Sequence, residues 1–125
     1  MTRVLQACLA IAFLWPALGF AQSAEPSGLY SFEGRNADQK GTYRGEVAIS
    51  KDGEGFKILW IIGNQQYAGT GILRDGKLAV AFQAQGRIAG IALFDLRSDG
   101  TLSGTWTVLG GKALGLENWT PKGKI

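Results

Sequence analysis

Short turn signals recur at regular intervals along the chain, and this spacing limits the segments between them to strand length. Three of the turns are Asp followed by Gly, a pair that tolerates the positive φ angles of a tight hairpin. The pattern predicts antiparallel neighbours joined by short connections, and it leaves no segment for an amphipathic helix. Seven turns separate eight strands, placed at 28–34, 41–50, 55–62, 65–74, 77–84, 87–97, 101–109 and 112–120.

Side chains in these segments alternate as they do in strands that bury one face. On the second segment, Tyr43, Val47 and Ile49 share one face, while Arg44 and Glu46 share the other. Eight antiparallel strands in simple succession leave two open edges unless the sheet closes on itself. We therefore predict an all-β fold, an eight-stranded antiparallel up-and-down barrel.

The first 21 residues have the layout of a secretory signal peptide. Arg3 precedes an apolar run over 8–20, and Gly19 and Ala21 supply the small residues of a cleavage site. The run is too short to span a membrane, and because it follows Cys8 it does not suit lipid attachment there. We expect a mature chain without a membrane span, either periplasmic or secreted.

Cleavage at that site leaves a flexible lead over 22–27 and a single domain over 28–122, with no cysteine and no histidine. Those absences exclude disulfides, thiolate and imidazole metal sites, and catalysis by a cysteine or a Ser-His-Asp triad. We expect no cofactor and no enzymatic activity. The chain has 13 basic and 10 acidic residues, and the basic ones mostly stand singly, so nucleic acid is not an expected partner.

Candidate ligand-binding residues come mainly from the predicted inner face, where indole and phenol rings combine apolar surface with a hydrogen-bonding group. They are Tyr43, Trp60, Tyr67, Trp106, Glu117 and Trp119. Trp60 and Trp106 also fit a filled core, which is the reading that the sequence favours. Trp119 fits either a barrel mouth or a surface exposed to a partner.

Glu117 has two interpretations on the last strand. If the odd-numbered residues of 115–119 face inward, a carboxylate enters the barrel and must be paired or hydrogen-bonded, with Arg44 or Arg97 as possible partners. If the even-numbered residues face inward instead, Glu117 lies in water. The sequence does not choose between these two registers.

Glycines lie inside several predicted strands, including positions 69, 71, 90 and 104, although glycine in a strand interior costs stability. Either they let a small barrel bend while aromatic side chains fill its interior, or they leave a cavity open for a ligand. The sequence favours the filled interior.

The outer face of the middle strands is also apolar, whereas a wall facing only water would carry charges. We predict that a second copy of the chain covers this wall in a symmetric homodimer. An extracellular protein partner and a membrane surface are the alternatives, and the membrane is disfavoured because no basic rim surrounds the wall. The predicted interface residues are Leu59, Ile61, Ile72, Ile91 and Leu93.

Short motifs across the domain carry a family resemblance. They are GTYRGEVAI at 41–49, Trp60 followed by YAGTGI at 67–72, Leu78 to Val80, DGTLSGTWT at 99–107, and Gly115, Glu117 and Trp119. With these motifs the chain resembles a family of small exported glycine-rich bacterial proteins of unassigned biochemistry, some labelled fibronectin-binding. The resemblance implies a domain that binds something and does no chemistry.

The predicted architecture is also similar to that of avidins and lipocalins, and LSGTWT at 102–107 resembles the opening strand of avidins. The biotin-holding positions of avidins do not map onto this chain, so biotin is not an expected ligand. We expect an exported, non-enzymatic binding or interaction module that self-associates through its apolar wall. The alternative is a carrier with a site for a small apolar ligand inside the barrel.

Overall fold

The computed structural model describes residues 25–38 and 40–123, so the predicted signal peptide over 1–21 lies outside the described residues. The described ranges contain eight strands and no helix. The strands are β1 (Gly28–Arg35), β2 (Thr42–Asp52), β3 (Gly55–Ile62), β4 (Gln65–Arg74), β5 (Lys77–Gln83), β6 (Gly90–Leu96), β7 (Leu102–Val108) and β8 (Gly115–Gly123).

Each strand pairs antiparallel with the next, and β8 returns to pair with β1, so the sheet closes into a barrel in chain order. The prediction of an eight-stranded up-and-down barrel is confirmed. Closure gives every strand two hydrogen-bonded neighbours and leaves no free edge. The turn between β4 and β5 has positive φ at both Asp75 (55°) and Gly76 (76°), as a type I′ hairpin requires.

Two strands begin three residues later than the turn signals predicted, β6 at Gly90 instead of 87 and β8 at Gly115 instead of 112. Before β6 the chain folds back on itself, since Arg87 N donates to Ala84 O at 3.0 Å. Before β8 it turns at the Gly110–Gly111 pair, and the pairing of β8 with β7 begins only at Gly115. Apolar residues in these loops resemble strand residues in the sequence pattern.

The connections divide between two ends of the barrel, because antiparallel strands reverse direction at each turn. One end, here called the open end, carries the connections over 36–41, 63–64, 84–89 and 109–114. The closed end carries the connections over 53–54, 75–76 and 97–101, together with the residues before β1. The two ends differ in how side chains fill them.

Inward side chains pack the barrel solidly toward the closed end, where Trp119, Phe94, Ile49, Ile58, Leu78 and Leu102 are fully buried. Pro26, which precedes β1, is buried as well. Its carbonyl oxygen accepts a hydrogen bond from Tyr30 Oη at 2.5 Å. In the part of the lead that the structure describes, Pro26 therefore anchors the chain at the closed end.

β8 adopts the first of the two registers that the sequence allowed. Gly115, Glu117 and Trp119 are buried, whereas Leu114 and Leu116 are exposed. A carboxylate therefore enters the interior of the barrel, and its surroundings define the candidate site.

Candidate functional site

The half of the barrel near the open end is hollow. It contains a cavity of about 640 Å³, a size typical of small-molecule sites. Each strand from β2 to β7 contributes one ring to the wall of this cavity: Tyr43, Trp60, Tyr67, Phe82, Phe94 and Trp106. Aliphatic side chains such as Ile62 and Val108 complete the wall between the rings.

Glu117 of β8 also lines the cavity, and it is only 7% exposed. Tyr43 Oη donates a hydrogen bond to Glu117 Oε2 at 2.6 Å. The Nε1 atoms of Trp60 and Trp119 donate to Oε1 at 3.2 Å and 2.8 Å. Donors from β2, β3 and β8 thus hold both oxygens of the carboxyl group in place.

None of these donors carries a charge, so the carboxyl group is buried without an ion-pair partner among the described residues. Burial raises the pKa of Glu117, and the three hydrogen bonds oppose that rise. Burial beside Glu117 also raises the pKa of Tyr43, so its hydroxyl stays protonated and able to donate. The ion pairs found in the described ranges join exposed side chains on the outer surface.

The arginines suggested as partners of Glu117 do not reach it. Arg44 is exposed on the outer face of β2, because its neighbours at 43 and 45 face inward. Arg97 is exposed in the connection between β6 and β7 at the closed end. Of the two arrangements expected for an inward carboxylate, pairing or hydrogen bonding, the structure shows hydrogen bonding by neutral indole and phenol donors, and the suggested arginine partners were wrong.

The rings around the cavity contact one another edge to face. Phe82 lies at the centre of the set, with ring centroids 5.7 Å from Trp60, 6.2 Å from Tyr67 and 6.4 Å from Trp106. Tyr43 continues the series, at 6.4 Å from Trp106. Because such contacts favour particular ring orientations, the wall is one packed layer rather than a set of independent side chains.

Glycine backbone lies directly behind four of these rings, those of Tyr43, Phe82, Phe94 and Trp106. A Cβ atom on Gly115 would overlap the indole of Trp106, and one on Gly34 would overlap the ring of Tyr43. The sequence offered a filled interior and an open cavity as alternative explanations of the strand glycines. The barrel combines the two, with a filled interior at the closed end and a cavity at the open end.

Trp106 contributes a further polar atom to this region. Its Nε1 is buried and has no hydrogen-bond partner within the described ranges. A buried donor without an acceptor costs free energy, and native structures contain few of them. The atom lies against the backbone of Gly115, so the ring of Trp106 lines the cavity while this donor faces the barrel wall.

The mouth of the cavity is formed by the open-end loops and the strand ends beside them. Arg87 of the 84–89 loop donates from Nη2 to Gln65 Oε1 at 3.3 Å, and its own carbonyl oxygen accepts from Gln83 Nε2 at 3.0 Å. Asn36 lies on the other side of the mouth and donates from Nδ2 to Lys40 O at 3.0 Å. The loop that carries Arg87 is therefore tied to β4 and β5.

The structure brings five of the six proposed ligand-binding residues to the cavity: Tyr43, Trp60, Tyr67, Trp106 and Glu117. Trp119 lies outside the lining, fully buried, and touches the site through its hydrogen bond to Glu117. Sequence reasoning did not single out Phe82 as a ligand contact, although its alternation placed it inward. It had no signal for Asn36 and Arg87, because loop residues lack a periodic pattern.

The outer face carries a second candidate surface, here called the outer patch. It consists of two neighbouring cross-strand rows without a charged residue. One row is Ile72, Ala79, Leu93, Thr105 and Leu116, and the other is Thr70, Ala81, Ile91 and Thr107. Small alanines on β5 lie between larger neighbours and leave a groove of about 520 Å³.

The predicted interface residues divide between this patch and its surroundings. Ile72, Ile91 and Leu93 belong to the patch and are exposed by 64%, 55% and 50%. Ile61 is exposed but lies directly opposite the charged Glu46 of β2. Leu59 is half-buried on the outer face of β3. The apolar surface is therefore centred on β4 to β8 rather than on β3.

No protein-family model matches the chain, and no curated protein is significantly similar to it. The resemblance to small exported bacterial proteins therefore stays a prediction. Within 25–38 and 40–123, no group of three Asp, Glu, His or Cys residues is arranged to hold a metal ion. In the same ranges, no helix has the length and hydropathy needed to cross a membrane.

Proposed function

We propose that the protein is an exported, non-enzymatic binding protein that carries a small ligand inside its barrel. The observation that carries this proposal is the carboxyl group of Glu117, which is buried without a counter-ion in the wall of an aromatic cavity. This choice places the carrier ahead of the interaction module, which was the first expectation from the sequence.

The cost of leaving the cavity open supports the carrier. An unfilled apolar space weakens a protein because the side chains around it lose contacts. Fully buried residues such as Ile58 and Leu78 show that the same barrel packs tightly at the closed end. We infer that the open half has been kept hollow for a ligand.

The hydrogen bonding of Glu117 supports binding over catalysis. Both of its oxygens already accept hydrogen bonds from rigid donors, Tyr43 on one side and two indoles on the other. These donors fix the orientation of the carboxylate and leave one acceptor site, on Oε2, for a donor on a ligand. A carboxylate fixed in this way is better suited to recognising a charge or a donor on a ligand.

The site is tested with the neutral dye N-phenylnaphthylamine, whose fluorescence rises in apolar surroundings. We expect the mature chain to bind it and Val108→Trp to lose that binding, because Val108 lines the cavity and a larger ring would fill it. Ser31→Trp adds the same ring at an exposed position of β1 and should bind like the parent protein. Equal binding by Val108→Trp and Ser31→Trp would refute the internal site.

Export to the periplasm or beyond is part of the proposal and rests on the first 21 residues. We expect the protein isolated from its host to begin near residue 22 and to appear in the periplasmic or extracellular fraction. An intact N-terminus and a cytoplasmic location would contradict export.

Self-association through the outer patch is a second candidate function. It is favoured by the two cross-strand rows without a charge, because large exposed apolar patches commonly mark interaction surfaces. A second copy of the chain would cover the patch in a homodimer, and an extracellular protein is the alternative occupant. The carrier does not depend on this interface, since the cavity opens at the end of the barrel rather than through the patch.

A further inference from the structure

We propose that the ligand is an organic cation, with an ammonium group against Glu117 and an apolar body among the aromatic rings. This inference rests on the proposed function of the cavity and specifies the chemical class of its ligand. Three features of the site support it: the unbalanced carboxylate, the acceptor capacity left on that carboxylate, and the faces of the surrounding rings.

The first feature is the charge balance of the interior. Glu117 is the buried charged residue of the described ranges, and its three partners are neutral. A buried charge is costly unless a charge of opposite sign or a set of hydrogen bonds compensates it. When Glu117 is ionised, the hydrogen bonds orient the carboxylate but leave its charge without a counter-ion. An ammonium group in the cavity would supply the missing charge.

The second feature is the acceptor capacity of the carboxylate. An ionised carboxylate offers about four lone-pair sites. Oε1 accepts from two indoles, whereas Oε2 accepts only from Tyr43 within the described ranges. Oε2 therefore retains a site for one more donor, and Glu117 lines the cavity. A charge-assisted bond from an ammonium group is stronger than a bond from a neutral donor at the same site.

The third feature is the aromatic wall. Tyr43, Trp60, Tyr67, Phe82 and Trp106 present ring faces or edges to a space that a ligand would fill. A cation within about 6 Å of a ring face is attracted by the ring quadrupole, and the attraction is larger where water is excluded. The wall would stabilise an organic cation in two ways, because the rings attract its charge and also bury its apolar body.

The positions of the charges argue against an anionic ligand. An anion in the cavity would meet Glu117 as a like charge in an interior with little water. Arg87, the cationic residue in the cavity lining, is exposed at the mouth and bonded to Gln65. A neutral ligand would fit the apolar volume but would leave the carboxylate uncompensated.

The test uses three probes of matched shape: phenylbutylamine, phenylbutanol and phenylbutyrate. Each is titrated into the mature chain near neutral pH, by displacement of N-phenylnaphthylamine and by calorimetry. We expect the amine to bind tighter than the alcohol by on the order of 30-fold, and the carboxylate probe to bind weakest. Equal affinities for amine and alcohol in the parent protein would overturn the proposal without need of any variant.

Glu117→Gln assigns the preference to this residue. It keeps the side-chain size and an oxygen that accepts from Trp60 and Trp119, and it removes the charge. We expect the preference for the amine to vanish while the alcohol binds about as before. Glu33→Gln is the matched control, because it makes the same change on the outer face of β1. A preference that persists in Glu117→Gln would overturn the assignment.

The same titrations separate failure of this proposal from failure of the carrier function. If the dye and phenylbutanol bind but the amine has no advantage, the cavity is a ligand site and the organic cation is wrong. If neither the dye nor any probe binds the parent protein, both the carrier and its cationic ligand are refuted.

Discussion

At the scale of single residues, burial and hydrogen bonding act in opposite directions on the pKa of Glu117. Burial disfavours its charged form, while hydrogen bonds from Tyr43, Trp60 and Trp119 favour it. Burial is the larger effect, so the pKa of Glu117 lies above its ordinary value. The stability of the empty protein and its affinity for a ligand should both respond to this carboxyl group.

The pH dependence of stability should reveal the raised pKa of Glu117. The folded protein holds this proton more tightly than the unfolded chain. The stability that Glu117 contributes is therefore fully present below the ordinary pKa of 4.5 and is lost as pH rises through the folded pKa. Glu117→Gln removes this dependence. Thermal unfolding of both proteins without ligand, from about pH 4 to about pH 8, should show the parent losing stability relative to the variant.

Other carboxyl groups do not confound this comparison. Hydrogen bonding from Lys77 lowers the pKa of Asp95, and the backbone N–H of Thr101 lowers that of Asp99. Lowered pKa values change stability with pH in the opposite direction to that of Glu117, but they are the same in the parent protein and in Glu117→Gln. A constant difference in stability between parent and Glu117→Gln across the range would show that burial does not raise the pKa of this group.

Removing one donor from the carboxyl group should destabilise the protein. Tyr43→Phe deletes the hydroxyl that bonds Glu117 Oε2 and leaves a buried charged acceptor less satisfied, at a cost of about 1–3 kcal/mol. Tyr67→Phe is the matched control, because its hydroxyl forms no side-chain hydrogen bond to another described residue and its ring lines the same cavity. Urea unfolding at neutral pH measures both, and equal losses would contradict the account.

The sequence could not place Glu117, because both faces of β8 contain apolar residues. Leu114 and Leu116 are as suitable for a core as Trp119 when only the local alternation is considered. What selects the observed register lies on other strands: Trp60 and Tyr43 supply donors, and Trp106 needs a glycine behind it. Such non-local information is not contained in the pattern of one segment.

At the scale of strands, rings lying over glycines fix how neighbours pair. Tyr43 is directly opposite Gly34 between β2 and β1, and Trp106 is directly opposite Gly115 between β7 and β8. Phe94 lies over Gly104 of β7 and Phe82 over Gly90 of β6 in the same way. A slip of one residue would place each ring against a side chain, so these pairs help to specify the register.

Gly104→Ala should be strongly destabilising for this reason. The added Cβ atom would overlap the carbonyl oxygen of Leu93 and the ring of Phe94, and neither can move without disturbing β6. We expect a loss of about 1–3 kcal/mol in the free energy of unfolding, measured with urea. Gly111→Ala, in the loop before β8, meets Thr107 Oγ1, which can move by χ1 rotation with loss of its hydrogen bond to Ala113 O, and approaches Val108 O to 3.0 Å, so it should cost less. Equal costs would show that the ring does not need the bare backbone.

The strands themselves were largely predictable, and the exceptions have a local cause. Tight turns such as Asp75–Gly76 can be predicted from the sequence because few residue pairs tolerate positive φ. The loops over 84–89 and 109–114 contain apolar residues, among them Ile88 and Leu114, that look like strand positions in the sequence. Both are exposed, so the sequence pattern overextended β6 and β8 at the open end.

At the scale of the whole molecule, the barrel separates a packed core from a cavity. The closed end is a packed core with Pro26 and Trp119 fully buried, and the open end holds the cavity. The outer patch lies on a third region, the wall formed by β4 to β8. A carrier that also self-associates could therefore load its ligand at the mouth while copies meet at the wall.

Self-association should respond to a charge placed in the patch. Ile91 is 55% exposed at the middle of one charge-free row, so Ile91→Lys would put an ammonium group into any interface there. Sedimentation velocity should show the parent as a dimer and Ile91→Lys as a monomer. Ser31→Lys, which places the same charge on the outer face of β1, should remain dimeric. Identical masses for all three would exclude the outer patch as a self-association surface.

The proposed carrier function requires that the cavity hold a ligand, and native mass spectrometry tests this directly. The mature chain is purified from its own host beside Val108→Trp, under conditions gentle enough to retain bound molecules. We predict extra mass on the parent chain, absent from Val108→Trp, with the composition of an organic cation. A bare polypeptide in both preparations, or the same extra mass in both, would contradict the central claim.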